Sequence, residues 1–357
     1  MPLEVIESAD SLADLIRLKT SAIYEMMISL RVVLEPPRSY RDWAESARKH
    51  LPEDYLEEMA TVYRPFRKGL AFLELPIDYE DKNDVPGFIE YVRNMTPAEF
   101  MFYLMGRVIS LEQLESQDRI TLEWLRREVE KYDPKYLHYC DDLPISWVLD
   151  DPDGFQNRLA DVWEFYWDRF FKVKVDEMAV HWEKAIEDRE RLLRREGGLE
   201  MLKDTLSRFE HLPRPLPADM PYQEITIIPI NLLPHHAYMF FGYGNVTVLF
   251  SSSMTAERRA EVEAAKEEAL TILKSLSDGT RLNILRLISR SHGEIHGKKI
   301  AEVLDMSASV VSRHLSQLKD SGLIIEIPQE NRMIHYQLQD AMISSLPDKL
   351  LDYIHGA

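Results

Sequence analysis

The chain's 357 residues exceed what one compact core ordinarily serves, so two or three domains are expected. A composition of 45% hydrophobic and 29% charged residues is that of a globular protein. No apolar run approaches the ~18–20 residues of a membrane span, and Met1-Pro2-Leu3-Glu4-Val5 is no secretory signal, so a cytoplasmic chain without a membrane partner is expected. Its single cysteine, Cys140, excludes an internal disulfide and a thiolate metal cluster, and its net charge of −18 argues against nucleic-acid binding by the chain as a whole.

In chain order, Leu12, Leu15, Ile16, Ile23, Met26, Met27, Leu30, Val33 and Leu34 recur at helical spacings and predict one amphipathic helix, stopped by Pro36-Pro37. Shorter helices are expected near Tyr40–Leu51, Glu53–Arg64, Pro86–Met95, Pro97–Ile109 and Glu112–Lys131. Thr96-Pro97-Ala98-Glu99 is a helix start, with threonine as N-cap and glutamate at the third position. After a loop from Asp133 to Asp153, Phe155 to about Arg195 contains neither proline nor glycine and reads as one long helix closed by Gly197-Gly198. The period then changes. Gln223–Ile230 is rich in β-branched residues, and Tyr238–Phe241 and Val246–Phe250 flank a hairpin turn at Gly242-Tyr243-Gly244-Asn245.

Helix returns at Glu257–Leu276 and leads into the most informative segment. Ser277-Asp278-Gly279-Thr280-Arg281 opens a helix with Leu282, Ile284, Leu285 and Ile288 as its apolar face. Lys298–Leu304 is a second, short helix. Asp305-Met306-Ser307 is a turn, Ser307 capping a third helix that runs from Ala308 to Ser321 and stops at Gly322. Val311, Leu315 and Leu318 fall at i, i+4 and i+7 and would pack against Ile300, Val303 and Leu304. The opposite face carries Ser309, Ser312, Arg313, Ser316 and Gln317, hydrogen-bonding groups suited to a DNA major groove. Arg313 could pair with guanine and Gln317 with adenine. Lys298, Lys299 and His314 would meet backbone phosphates, which position without specifying, and Ser307 counts among the expected DNA contacts. Leu323–Pro328 and Met333–Leu338 form a wing from which Arg332 could enter the minor groove. The stretch Leu270–Gln337 carries nine Lys or Arg against seven acids, so the net −18 becomes +2 here and −20 elsewhere, which removes the charge objection.

Leu276-Ser277-Asp278-Gly279-Thr280-Arg281-Leu282-Asn283-Ile284-Leu285 resembles the opening signature of the ArsR (arsenic-repressor-like) family. Ile300–Leu304, Ser309–Leu315, Leu318–Ile324 and Asn331–Leu338 resemble that family's helix-turn-helix and wing. The resemblance spans about 75 residues and implies a homodimer that binds a pseudo-palindromic operator in double-stranded DNA, usually as a repressor, with Glu257–Leu276 and Asp340–Ile354 forming the dimer contact. Two departures stand out. His296 and Lys298 occupy the places of the metal sensors' Cys-x-Cys pair, and the terminal helix from Asp340 onward lacks the zinc sensors' Asp-x-His and His-x-x-Glu pattern. No metal or cofactor is therefore expected at those sites.

The expected fold is mainly α: a helical N-terminal domain (1–210), a small β segment packed on it (211–255) and a winged helix-turn-helix domain (256–357). For the N-terminal domain, the aromatic residues Trp147, Trp163, Tyr166, Trp167 and Phe170 are the best candidates to line an effector pocket, although such rows are more often core. Tyr91, Tyr103, Trp124 and Tyr139 could contribute equally. His292, Glu294 and His296 read as a solvated loop rather than metal ligands, and His235-His236 as neighbours on opposite faces of a strand. No nucleotide-binding, zinc-protease or nucleophile-elbow motif is present, so no catalytic residue is proposed. The expected function is a transcriptional regulator controlled at its N-terminal domain by a small-molecule effector or a partner. The alternatives are an N-terminal domain serving as an interaction or oligomerisation module, or as an enzyme fused to a DNA-binding tail.

Overall fold

The structure, a computed structural model, describes residues 9–206, 212–213, 216–217, 220–233, 237–253, 256–291, 294–328 and 333–355. The chain divides into two compact units, Met1–Thr255 and Ala256–Ala357. The β segment therefore belongs to the first unit and is not a separate body. No helix of the described residues is long and apolar enough to cross a membrane.

In the first unit the expected helix from Leu12 to Leu34 is two helices. Helix α1 (Ala9–Leu15) gives way to strand β1 (Ile16–Leu18), and α2 (Ala22–Leu34) starts afresh. The residues Ile16-Arg17-Leu18 pair in parallel with Ile225-Thr226-Ile227, so a sheet edge satisfies their backbone groups. Ser21 then restarts the helix, its Oγ accepting from the Tyr24 amide at 3.1 Å. Apolar spacing alone was compatible with one helix; the cap at Ser21 is the local signal for two.

Strand β2 (Glu224–Ile230) lies between β1 and β4 (Asn245–Ser251), and β3 (Tyr238–Gly242) pairs antiparallel with β4 on the outer side, giving the order β1-β2-β4-β3. The hairpin joins Gly242 to Asn245 through Tyr243-Gly244, both at positive φ (50° and 78°), as a two-residue primed turn requires. Both sheet faces are covered. Ile225, Ile227, Val246, Val248 and Phe250 pack with Leu12, Met201 and Leu202, while Ile228, Ile230 and Leu249 belong to the main helical core. That two-sided burial explains why β2 is nearly continuous in apolar residues and does not alternate.

Helix α3 (Pro152–Tyr166) is followed by a π-turn at Trp167–Phe171, a 3-10 turn at Lys172–Lys174 and α4 (Val175–Thr205). The expected helical stretch is thus continuous past Tyr166 but changes its winding there. At Gly197 (φ 85°, ψ 172°) the backbone leaves the helical region, so the long helix ends there as expected, and a second helical stretch runs on to Thr205 and brings Met201 and Leu202 onto the sheet.

Two buried charges tie the helices of this unit to its sheet. Glu25, on α2, accepts from Trp182 Nε1 (2.8 Å) and from the amides of Asn231 (2.6 Å) and Leu232 (2.9 Å) just after β2. Arg107 is buried beside Glu74 (Nε to Oε2, 3.1 Å) and donates through Nη1 to the Gly242 carbonyl at 3.1 Å.

Candidate nucleic-acid interface

The second unit begins with α5 (Ala256–Leu276), whose Ala269 and Ile272 enter its core. Helix α6 (Gly279–Arg290) is capped by Asp278, whose Oδ1 accepts from the Arg281 amide at 2.9 Å; that bond holds the Asp278 carboxyl below its usual range. Ile284, Leu285 and Ile288 are buried as expected, but Leu282 is 47% exposed, being the one member that falls off the inward stripe.

Helix α7 (Gly297–Leu304) has His296 as its cap, the ring Nδ1 accepting from the Lys299 amide at 3.2 Å. Asp305 takes the left-handed conformation (φ 49°) that turns the chain, and Ser307 caps α8 (Ala308–Asp320) through the Val310 amide at 3.4 Å. After α8, Gly322 at φ 72° lets the Leu323 amide return to the Leu318 carbonyl at 3.0 Å. Strands β5 (Ile324–Pro328) and β6 (Ile334–Leu338) follow as an antiparallel wing, with β6 anchored by the Tyr336 amide on the Ile295 carbonyl (3.1 Å). The terminal helix α9 (Leu346–His355) packs on α5, with Lys349 2.5 Å from Glu268.

Val311, Leu315 and Leu318 are buried against Ile300 and Ala301. Val303, expected in that core, is 51% exposed, because Ile300 and Ala301 hold the contact on this short helix. The far side of α8 presents Ser309, Ser312, Arg313, Ser316 and Gln317 to solvent, and Lys298 and Lys299 stand exposed on α7. Lys299 is shared with Glu302 (3.3 Å). Arg313 has no ion-pair or hydrogen-bond partner among the described residues.

One position needs correction. His314 is buried, with its Nδ1 unpartnered among the described residues; at i+3 from Val311 it lies on the packed side, so a phosphate contact is not offered by this geometry. Arg332 lies outside the described residues, as do His292, His235 and His236. Among the described residues no group of three or more His, Cys, Asp or Glu is placed to hold a metal ion.

The bacterial regulatory protein arsR family model matches residues 278–326, the span that builds α6, α7, α8 and the start of the wing. The HTH-type transcriptional regulator YgaV of Escherichia coli is 31% identical over 87 residues, which cover 24% of this chain and 86% of that protein. The chain belongs to the arsR family. The arsenical resistance operon repressor of E. coli is 38% identical over 19% of this chain and 57% of its own length. The arsenic resistance transcriptional regulator ArsR1 of Pseudomonas putida is 30% identical over 22% and 64%. No solved structure matches the chain. The family model's match lies within the second unit.

In that first unit the expected aromatic pocket is a filled core. Trp163 stacks on Phe88 (5.6 Å) and donates to the Tyr63 hydroxyl at 2.6 Å; the Tyr166 hydroxyl meets Ser29 Oγ at 3.0 Å. Phe170 packs edge-on against Trp43 (5.2 Å), and Trp167 lies against Phe171. Helical spacing of large rings gave core because their partners also carry rings. Trp147 differs: it is 43% exposed and lines an open groove of about 800 Å³ with Leu56, Ala60 and Arg64. Cys140 is buried, and burial pushes its thiol up to about 11, away from reactive thiolate.

Proposed function

We propose that this arsR-family protein is a DNA-binding transcriptional repressor that acts as a homodimer on a pseudo-palindromic operator. The observation that carries the reading is the division of α8 into two faces. One is buried in the unit's core; the other is an exposed row of Ser309, Ser312, Arg313, Ser316 and Gln317, with the Arg313 guanidinium unpaired among the described residues. The relatives' printed names, a repressor and two regulators, agree with it. The dimer face would be formed by α5 and α9, where Leu270, Leu273, Leu351, Tyr353 and Ile354 are exposed large apolar residues. Such a dimer places two α8 helices in successive major grooves about 34–36 Å apart. A nuclease footprint with two protected half-sites 10–10.5 base pairs apart, centre to centre, is expected; a single short protected segment at saturating protein contradicts the dimer.

The first unit would control the second by binding an effector or a partner that shifts the population of DNA-competent dimers. The open groove at Trp147 favours a surface partner over an enclosed small molecule.

A further inference from the structure

Arg281 belongs to the opening motif of the second unit and joins three of its helices. Its Nε and Nη2 donate to the last-turn carbonyls of α5, Ser275 O and Lys274 O, both at 2.7 Å. Both lie in the last turn, where a cation is the favoured group, and Lys274 O also accepts from Ser277 Oγ at 2.8 Å. Its Nη1 donates to Gln317 Oε1 on α8 at 2.8 Å and lies 3.7 Å from Asp278 Oδ2. The guanidinium is held from three sides, and the Arg281 side chain is 14% exposed. An arginine is a donor only, so the amide oxygen of Gln317, and not its NH2, must be the atom facing it.

We propose that Arg281 is a positioning residue that sets the base preference of Gln317, an inference that rests on the DNA-binding reading above. With Oε1 turned toward Arg281, Gln317 leads with Nε2; one lone pair of Oε1 stays free, but bidentate pairing with adenine needs Oε1 and Nε2 to face the base together. A free glutamine pairs with adenine by donating to N7 and accepting from N6. A glutamine that presents only Nε2 to the base meets the adenine N6 amino group donor to donor, whereas guanine offers acceptors at both N7 and O6. The position read by Gln317 is therefore guanine in preference to adenine, against the pairing expected from the residue type alone. The same guanidinium grips the end of α5, so a displacement of that helix is transmitted to a base-reading side chain.

The test is selection from a randomised duplex pool with the full chain, comparing wild type, Gln317→Ala, Arg281→Met and the double variant. The base pair where Gln317→Ala loses discrimination is the one Gln317 reads. At that pair wild type is expected to prefer guanine to adenine by roughly tenfold, the scale of one hydrogen bond to a base. Arg281→Met shifts the preference toward adenine there and nowhere else, and adding it to Gln317→Ala changes nothing further at that pair. Adenine preferred by wild type, or an unchanged preference in Arg281→Met, overturns the proposal. So does a uniform weakening at all positions with a salt slope shallower by about one, the mark of a lost phosphate contact. If methionine unfolds the unit, Arg281→Lys decides: its single cationic nitrogen can stay on the α5 carbonyls but lacks the fork that reaches Gln317 as well, and the same shift toward adenine is required. A pool from which wild type enriches no sequence defeats the DNA-binding reading itself, and this proposal with it.

Discussion

Arg313 and Glu25 carry opposite kinds of charge problem. Arg313 is exposed on α8 with no partner among the described residues, so it is available to a base edge or a phosphate at no cost in broken pairs. Replacing it by alanine is expected to weaken sequence-preferring binding by about 1–3 kcal/mol if it pairs with guanine, read as the ratio of affinities for selected and scrambled DNA. Glu25 is wholly buried, and burial pushes its carboxyl up to about 7 although Trp182 and the amides of Asn231 and Leu232 pull the other way. A carboxyl raised in the folded state contributes stability that is present below its unfolded value, near 4.5, and lost as pH rises through about 7. The first unit's unfolding temperature is therefore expected to climb between pH 8 and pH 6. Glu25→Gln should flatten that climb; an equal climb in the variant would mean another group is responsible.

At the level of elements, the winged unit stands on one stripe of α8. Leu318 is fully buried in that stripe, and Leu318→Ala is expected to cost about 2–5 kcal/mol in a denaturant titration of the second unit. Leu282→Ala, at an exposed position, should fall within about 0.5 kcal/mol of wild type; equal losses at both sites would contradict the packing described. This unit was legible in the sequence because its signals are local: a cap at Ser307, a stop at Gly322, and apolar residues at i, i+4 and i+7 between them. The first unit was less so. Strand β1 owes its existence to a partner more than two hundred residues away, which no window around Ile16 contains. The aromatic row of α3 and the π-turn after it is indistinguishable, by spacing, from a pocket lining until Phe88, Tyr63 and Trp43 are seen to fill the space. Nor could residue type reveal that Arg281 occupies the acceptor oxygen of Gln317, since that pair is a contact between helices.

For the whole molecule, the uneven charge matters most. Against a net −18 for the whole chain, Leu270–Gln337 carries +2 and the remainder −20, so the first unit repels phosphates while the second is close to neutral. Affinity for arbitrary DNA should consequently be weak and steeply lowered by salt, and recognition must come from the few groups on α8. The proposed dimer makes its own prediction at this scale. Leu273→Asp, on the exposed apolar part of α5, is expected to shift sedimentation from dimer toward monomer and to weaken operator binding in parallel; loss of neither would remove α5 from the dimer face.

The central claim, that the winged unit reads DNA, is tested most directly by fluorescence anisotropy on the duplex upstream of the protein's own gene, with scrambled duplex as control, over a salt series. Saturable binding that prefers the cognate duplex, and a preference that collapses in Arg313→Ala, is the predicted result. Equal and weak binding of both duplexes at every salt concentration, with Arg313→Ala indistinguishable from wild type, would contradict it.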